Sequence, residues 1–353
     1  MDDRAKVFFE KLVAAPGVSG FEQPVQRVVR EYAAPFAEQM QTDLHGNLIL
    51  SVNRNAATRV LLAGHADQIG LIVSYIDDNG YLFTQTVGGW DPQQLVGQKL
   101  TVWGKDGPVP GVIARKPIHL LEEAEKNKGV NPKSMWIDIG AADRQQAESQ
   151  VDVGSSVTLK AGIVWLNNDL ASGPAMDNRS GLWVVVEAMR RAVLQGVSCG
   201  LYVASTVQEE IGLRGAQTAA YSVDPQIGIA VDVTHATDCP ESDSKQQGSV
   251  GLGKGPVIVR GPNMNPMVCD RLVQCAADAN ITVQRSALGR AASNDSNVLQ
   301  ISRGGVATAV VAIPNRYMHS AVETISMRDL DNAAQLLAHF VCGVTTHDEF
   351  IPI

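Results

Sequence analysis

Six side chains able to bind a metal or move a proton stand just past apolar runs or at a helix start. Residues 201–206 are rich in β-formers and read as a buried strand. Val207-Gln208-Glu209-Glu210-Ile211-Gly212 follows directly. A second apolar run, 59–63, ends in Gly64-His65-Ala66-Asp67. A third, 227–231, ends in Asp232-Val233-Thr234, and a fourth, 306–313, leads to Arg316-Tyr317-Met318-His319-Ser320. Asp177 lies at the start of an expected helix, where an anion is favoured. Ligands of open α/β sheets bind beyond the carboxyl ends of the strands. His65, Asp177, Glu209, Glu210, Asp232 and His319 should therefore meet along one edge. Two imidazoles with several carboxylates and no thiolate suit zinc, cobalt or manganese. Even with one of the six left to move protons, five ligands exceed what one catalytic ion with an open position uses. They suit two ions sharing a carboxylate, about 3.5–4 Å apart, which can lower the pKa of water from about 15.7 towards ~7. Neighbouring residues of an extended chain point to opposite sides, so Glu209 and Glu210 should take different jobs.

The elements that position these groups follow an α/β pattern. Residues 3–14 are helical in period, with Val7, Phe8, Leu12 and Val13 on one side and Pro16-Gly17 as the stop. A second helix is expected over 24–37, with Val25, Val28, Val29, Tyr32 and Phe36 inward. Residues 43–52 read as a strand or hairpin arm. From about 69 to 164 the character changes to short β-type runs broken by turns such as Asp77-Asp78-Asn79-Gly80. Little helical periodicity shows there beyond a short turn at 120–128. The pattern of a small β-domain inserted into an α/β domain results: 1–68 and 165–353 around 69–164. Past 165 the sequence predicts a helix with Leu182, Val185, Val186, Met189 and Val193 inward. Further on it predicts a helix over 265–279, a strand over 281–285, and a capping box, Ser326-x-x-Asp329, opening the last helix.

Composition narrows the function classes. The chain has 353 residues, 45% hydrophobic and 19% charged, with a formal net charge of -8. An acidic chain argues against a nucleic-acid partner. The five cysteines are scattered and form no C-x-x-C, which points to reduced thiols and a cytoplasmic location. The polar start Met1-Asp2-Asp3-Arg4 is no signal peptide, and no apolar run has membrane-spanning length.

Taken together, these motifs resemble the tetrahedral aminopeptidases, dinuclear metallopeptidases related to glutamyl and deblocking aminopeptidases. The likeness runs through Pro16-Gly17-Val18-Ser19-Gly20-Phe21-Glu22, Gly64-His65-Ala66-Asp67, Gly88-Gly89-Trp90-Asp91-Pro92, Met135-Trp136-Ile137-Asp138-Ile139-Gly140, Ala175-Met176-Asp177-Asn178-Arg179 and Gly253-Lys254-Gly255-Pro256, besides the strand-end motifs above. It implies a doubly wound catalytic domain with a mixed sheet, interrupted by a PDZ-like β-domain. It implies that His65 and Asp232 bind one metal, Glu210 and His319 the other, and that Asp177 bridges. Glu209 would act as general base on a metal-bridging water, and Asp67 would orient His65 from behind. The Asp177-Asn178 bond would be cis. The activity implied is removal of N-terminal residues from short peptides by two divalent ions per subunit, zinc or cobalt ahead of manganese. The assembly implied is a homododecamer built from dimers. One departure stands out: Ser293-Asn294-Asp295-Ser296-Asn297 replaces the family's Gly-Thr-Asp-Ala-Asn.

Two other readings stay open. A glycoside hydrolase needs two carboxylates flanking one sugar, about 5–9.5 Å apart, and would leave the imidazoles unexplained. A non-catalytic assembly protein with structural ions would not need the full set of proton-moving groups. The remaining histidines, His45, His119, His339 and His347, read as surface or structural residues, and His235 as a candidate substrate contact. Residues 251–256 read as a turn, since no helix follows the glycines and no Ser or Thr follows Lys254-Gly255.

Overall fold

The computed structural model describes residues 1–352. Its centre is an eight-stranded mixed sheet. From one edge to the other the strands are Gln39–Thr42, Leu48–Val52, Gly200–Thr206, Arg59–His65, Ile227–His235, Ala307–Asn315, Val257–Arg260 and Gln284–Ala287. The middle four run parallel, with Thr206 beside His65 and Asp232 beside Ala312. Their carboxyl ends therefore share one side of the sheet. The middle strands are almost continuously buried, as strands covered on both faces must be. Helices Asp3–Ala14, Met176–Leu194, Pro266–Asp278 and Met327–Cys342 form one linked group, and Arg214–Val223 packs with Ser296–Gln300 in another. The sheet is doubly wound.

Between Arg59–His65 and Met176–Leu194 the chain builds a closed six-stranded barrel from Gly70–Ile76, Leu82–Val87, Met135–Asp138, Gly107–Arg115, Lys99–Gly104 and Ser156–Leu159. It has its own apolar core, including Leu71, Val73, Leu82, Val102, Ile113, Ile137 and Val157. The hairpin turn after Ile76 forms where Asp77 Oδ1 accepts the N–H groups of Asn79 (3.0 Å) and Tyr81 (2.8 Å), and Gly80 takes φ +83°. The separate core of the α/β part runs from Ala5 to Val344 in sequence.

Several local expectations are corrected. Val7 is 49% exposed, and Phe9 takes its inward place. The second helix is Gln23–Ala33, shorter than its apolar period, with Phe36 packed beyond its end. A helix, Arg144–Gln150, lies within the barrel region, capped by Asp143 on the Gln146 N–H at 2.8 Å. The predicted strand over 281–285 begins at Gln284. The capping box does not form: Ser326 makes no side-chain cap. Asp329 instead accepts the N–H groups of Gly253 and Gly255, each at 2.7 Å, and so pins that turn to the last helix. A carboxylate has two oxygens for two donors, and the neighbouring turn offers both.

Candidate metal centre

The carboxyl ends of the parallel strands bring the six side chains together. His65, the last residue of its strand, is 1% exposed and points Nε2 into a knot of carboxylates. Nε2 lies 3.2 Å from Asp177 Oδ1, 3.7 Å from Asp232 Oδ1 and 3.8 Å from Glu209 Oε2. His319 points its own Nε2 at the other side, 3.3 Å from Asp177 Oδ2 and 3.5 Å from Glu210 Oε2. Asp177 thus stands between two imidazoles. The adjacent glutamates diverge, Glu209 towards His65 and Glu210 towards His319, but in a turn rather than the expected extended chain: the Glu209 carbonyl accepts the N–H groups of Gly212 (2.9 Å) and Leu213 (3.0 Å). Two donor triads result, His65 with Glu209 and Asp232, and His65 with Asp177 and Glu210.

Backbone groups set both imidazoles. His65 Nδ1 faces the carbonyl of Asp67 at 3.1 Å, and His319 Nδ1 faces the carbonyl of Gly89 at 2.9 Å. A carbonyl only accepts, so each Nδ1 carries a proton and Nε2 is left as the nitrogen that would meet an ion. The Asp67 carboxylate lies 3.4 Å from His65 Nδ1. It also accepts the backbone N–H groups of Glu209 (3.0 Å) and Glu210 (3.1 Å) and the hydroxyl of Ser19 (2.6 Å). Asp67 therefore holds the start of the Glu-Glu segment as well as one face of His65. Gln208, just before it, is left-handed at φ +58°. The Asp177-Asn178 bond is cis. Asn178 donates to the Val231 carbonyl at 2.8 Å and accepts the Gly181 N–H at 2.9 Å, tying the helix start to the strand that carries Asp232.

The electrostatics are those of an anion cluster waiting for positive charge. Burial, joined by Asp232, Asp295 and Asp177, pushes the Glu209 carboxyl up to about 10. Burial and Asp177 push Glu210 up to about 8. Asp177 and then Glu210 raise His319 to about 9. Asp177 itself is held well below the carboxylate range; burial opposes its charge, and the two imidazoles outweigh burial. Burial and then mutual repulsion favour the protonated forms of Glu209 and Glu210. A divalent cation reverses that preference. Two buried oxygens, Asp177 Oδ1 and Glu210 Oε1, have no hydrogen-bond partner, although His65 Nε2 approaches the first without the angle of a hydrogen bond. Unpartnered buried acceptors beside two imidazoles fit a pair of divalent ions.

The centre opens into a cavity of about 770 Å³. His235 and Leu288 line it, and so do Ser293, Asn294 and Asn297 of the departing loop. Asn294 turns back to accept the Ser296 hydroxyl at 2.7 Å, while Asp295 is buried and accepts the Thr206 hydroxyl at 2.7 Å. His45, His119, His339 and His347 lie exposed, away from this cavity's lining. Sequence reasoning missed Glu323, which is 2% exposed and touches the backbone of both Asp177 and His319. It also missed Gly89, which acts through a carbonyl. The only signal for Gly89 was the Gly88-Gly89-Trp90 motif; Glu323 had none beyond its place four residues after His319.

The profile of the M42 glutamyl aminopeptidase family matches residues 46–336. The lysyl aminopeptidase of Pyrococcus furiosus is 37% identical over 330 residues, spanning 93% of this chain and 94% of its own. The TET aminopeptidase structure from the marine sediment archaeon Thaumarchaeota archaeon SCGC AB-539-E09 matches with a TM-score of 0.92 and 36% identity, covering 98% of this chain and 97% of that one. The Pyrococcus horikoshii TET1 peptidase, described as assembling into a tetrahedron or a large octahedral shell, matches with a TM-score of 0.86 and 29% identity, covering 96% and 100%.

Proposed function

This chain belongs to the M42 glutamyl aminopeptidase family, and on that premise we propose that it is a dinuclear metal-dependent aminopeptidase acting on short peptides. M42 peptidases are metallopeptidases. The observation that carries the reading is Asp177, whose two oxygens face separate imidazoles at 3.2 and 3.3 Å. That is the placement a bridging carboxylate needs. His65 and Asp232 would hold one ion and Glu210 and His319 the other, zinc or cobalt ahead of manganese. When bound, such a pair supplies an acidified water, with pKa near ~7, and positive charge for the carbonyl oxygen.

The chain's own groups do the rest. Glu209 takes the proton of the attacking water as its oxygen bonds to the peptide carbonyl carbon. The C–N bond then breaks, and Glu209 returns the proton to the leaving amine. Asp67 keeps His65 aligned and anchors the backbone of the Glu pair. The site's carboxylates receive the free α-ammonium of the substrate, which restricts cleavage to the first residue.

We assign residues 1–68 and 165 onward to the catalytic domain and 69–164 to an assembly domain. The two separate apolar cores support that division. The barrel carries none of the proposed ligands. The assembly proposed is a homododecamer built from dimers, supported by TET relatives described as a tetrahedron and as a dodecamer. Hydrolysis of chromogenic amino-acid anilides, with and without chelator, tests the function. Release of the coloured aniline that stops with chelator supports it; hydrolysis indifferent to chelator contradicts it.

A further inference from the structure

Glu323 is a buried carboxylate that the proposed reaction does not use. It precedes the short strand Thr324–Ser326, which pairs antiparallel with Leu170–Ser172. Its carbonyl accepts the Gly173 N–H at 2.9 Å, so its backbone is fixed to the segment that leads into Asp177. Its side chain then spans two ligands. Oε2 accepts the Asp177 N–H at 3.0 Å, and Oε1 accepts the His319 N–H at 2.8 Å. Among the described residues it has no Lys or Arg partner. Only backbone donors meet it, and both belong to residues that face the centre.

The loop it closes needs such a brace. Arg316 and Thr324 exchange two backbone hydrogen bonds at 2.9 and 3.0 Å, which closes the loop's neck. Inside it Tyr317 and His319 are both left-handed, at φ +62° and +60°. A residue other than glycine holds that conformation at some cost, and surrounding contacts must enforce it. The His319 ring is held by the Gly89 carbonyl from the barrel side. Its backbone is held by Glu323 from the sheet side.

We propose that Glu323 is a positioning residue for the second ion, a clamp that fixes the spacing between Asp177 and His319 through their backbones. The inference rests on the dinuclear reading above. Its chemistry is specific to a carboxylate, because both oxygens must accept. A glutamine keeps the shape but turns one acceptor into an NH₂ group facing an N–H. An alanine removes both acceptors and the volume.

The test is calorimetric titration of Zn²⁺ into chelator-treated full-length protein, comparing wild type with Glu323→Gln. Thermal unfolding of the metal-free forms and the visible absorption of Co²⁺-loaded protein accompany it. The wild type should bind two ions per chain. Glu323→Gln should weaken one binding step by about 10–100-fold, the range expected for groups that orient metal ligands. It should change the Co²⁺ spectrum while the metal-free unfolding temperature stays near wild type. If that variant does not fold, Glu323→Asp, which keeps both oxygens but is one methylene shorter, should show the same selective loss. Two wild-type binding steps that survive unchanged in a folded variant overturn the clamp and leave the dinuclear reading intact. A wild type that binds only one ion overturns both.

Discussion

Glu209 and Asp177 sit within one cluster but are given different work, and substitution separates them. Glu209→Gln removes proton transfer and no proposed ligand. Turnover should fall by about 10²–10⁴ while both ions stay bound, a result read from steady-state kinetics and elemental analysis together. Asp177→Ala removes the shared carboxylate, so metal analysis should find both ions lost; full occupancy of both sites would sink the bridging role. At this scale the sequence was informative because each of these groups sits where an apolar run or a helix pattern breaks. A polar residue at such a break is visible against its neighbours. Glu323 was not visible, since a single glutamate in a polar loop carries no periodic signal. Its role arises only when the strands 324–326 and 170–172 pair. Gly89 contributes a carbonyl, which every residue has, so nothing in its identity announces the contact with His319.

At the scale of elements, the close approach of strand Arg59–His65 to helix Met176–Leu194 decides where His65 points. Gly64 is the contact. A Cβ there would sit 2.9 Å from the Leu182 nitrogen and 3.0 Å from the Gly181 carbonyl. Those are backbone atoms and cannot rotate away. Gly64→Ala should therefore push strand and helix apart, destabilising the metal-free protein by about 1–3 kcal/mol. It should also weaken the ion held by His65, since the next residue moves with the strand. Unfolding temperature and metal affinity of the variant check both parts; a protein unchanged in each contradicts the close-packing argument. The middle strands were readable because their burial on both faces leaves long apolar runs. Helix Arg144–Gln150 was not, because it presents only Ala147 to the core and shows no amphipathic stripe. The Ser326–Asp329 pattern misled because it is a local rule, and a turn distant in sequence offered Asp329 better donors.

At the scale of the whole molecule, the barrel and the α/β part have separate cores yet share one contact that matters, Gly89 on His319. Among the described residues no helix is long and apolar enough to cross a membrane, and all five cysteines are free thiols. Light scattering of dilute protein should report a large homo-oligomer, twelve subunits in the proposed assembly; a stable monomer would remove the barrel's assembly role without touching the metal centre. A closed shell would also favour short peptides over folded proteins, which a comparison of peptide and protein substrates reads directly. In the proposed centre His65, Asp177, Glu210, Asp232 and His319 serve two ions and Glu209 moves the proton. The most direct test is anilide hydrolysis by chelator-stripped protein as Zn²⁺, Co²⁺ or Mn²⁺ is returned in measured equivalents. The proposed centre predicts no activity in the stripped protein and full activity only as the second equivalent per chain is filled. Full activity in the stripped protein, or a plateau reached at one equivalent, would contradict it.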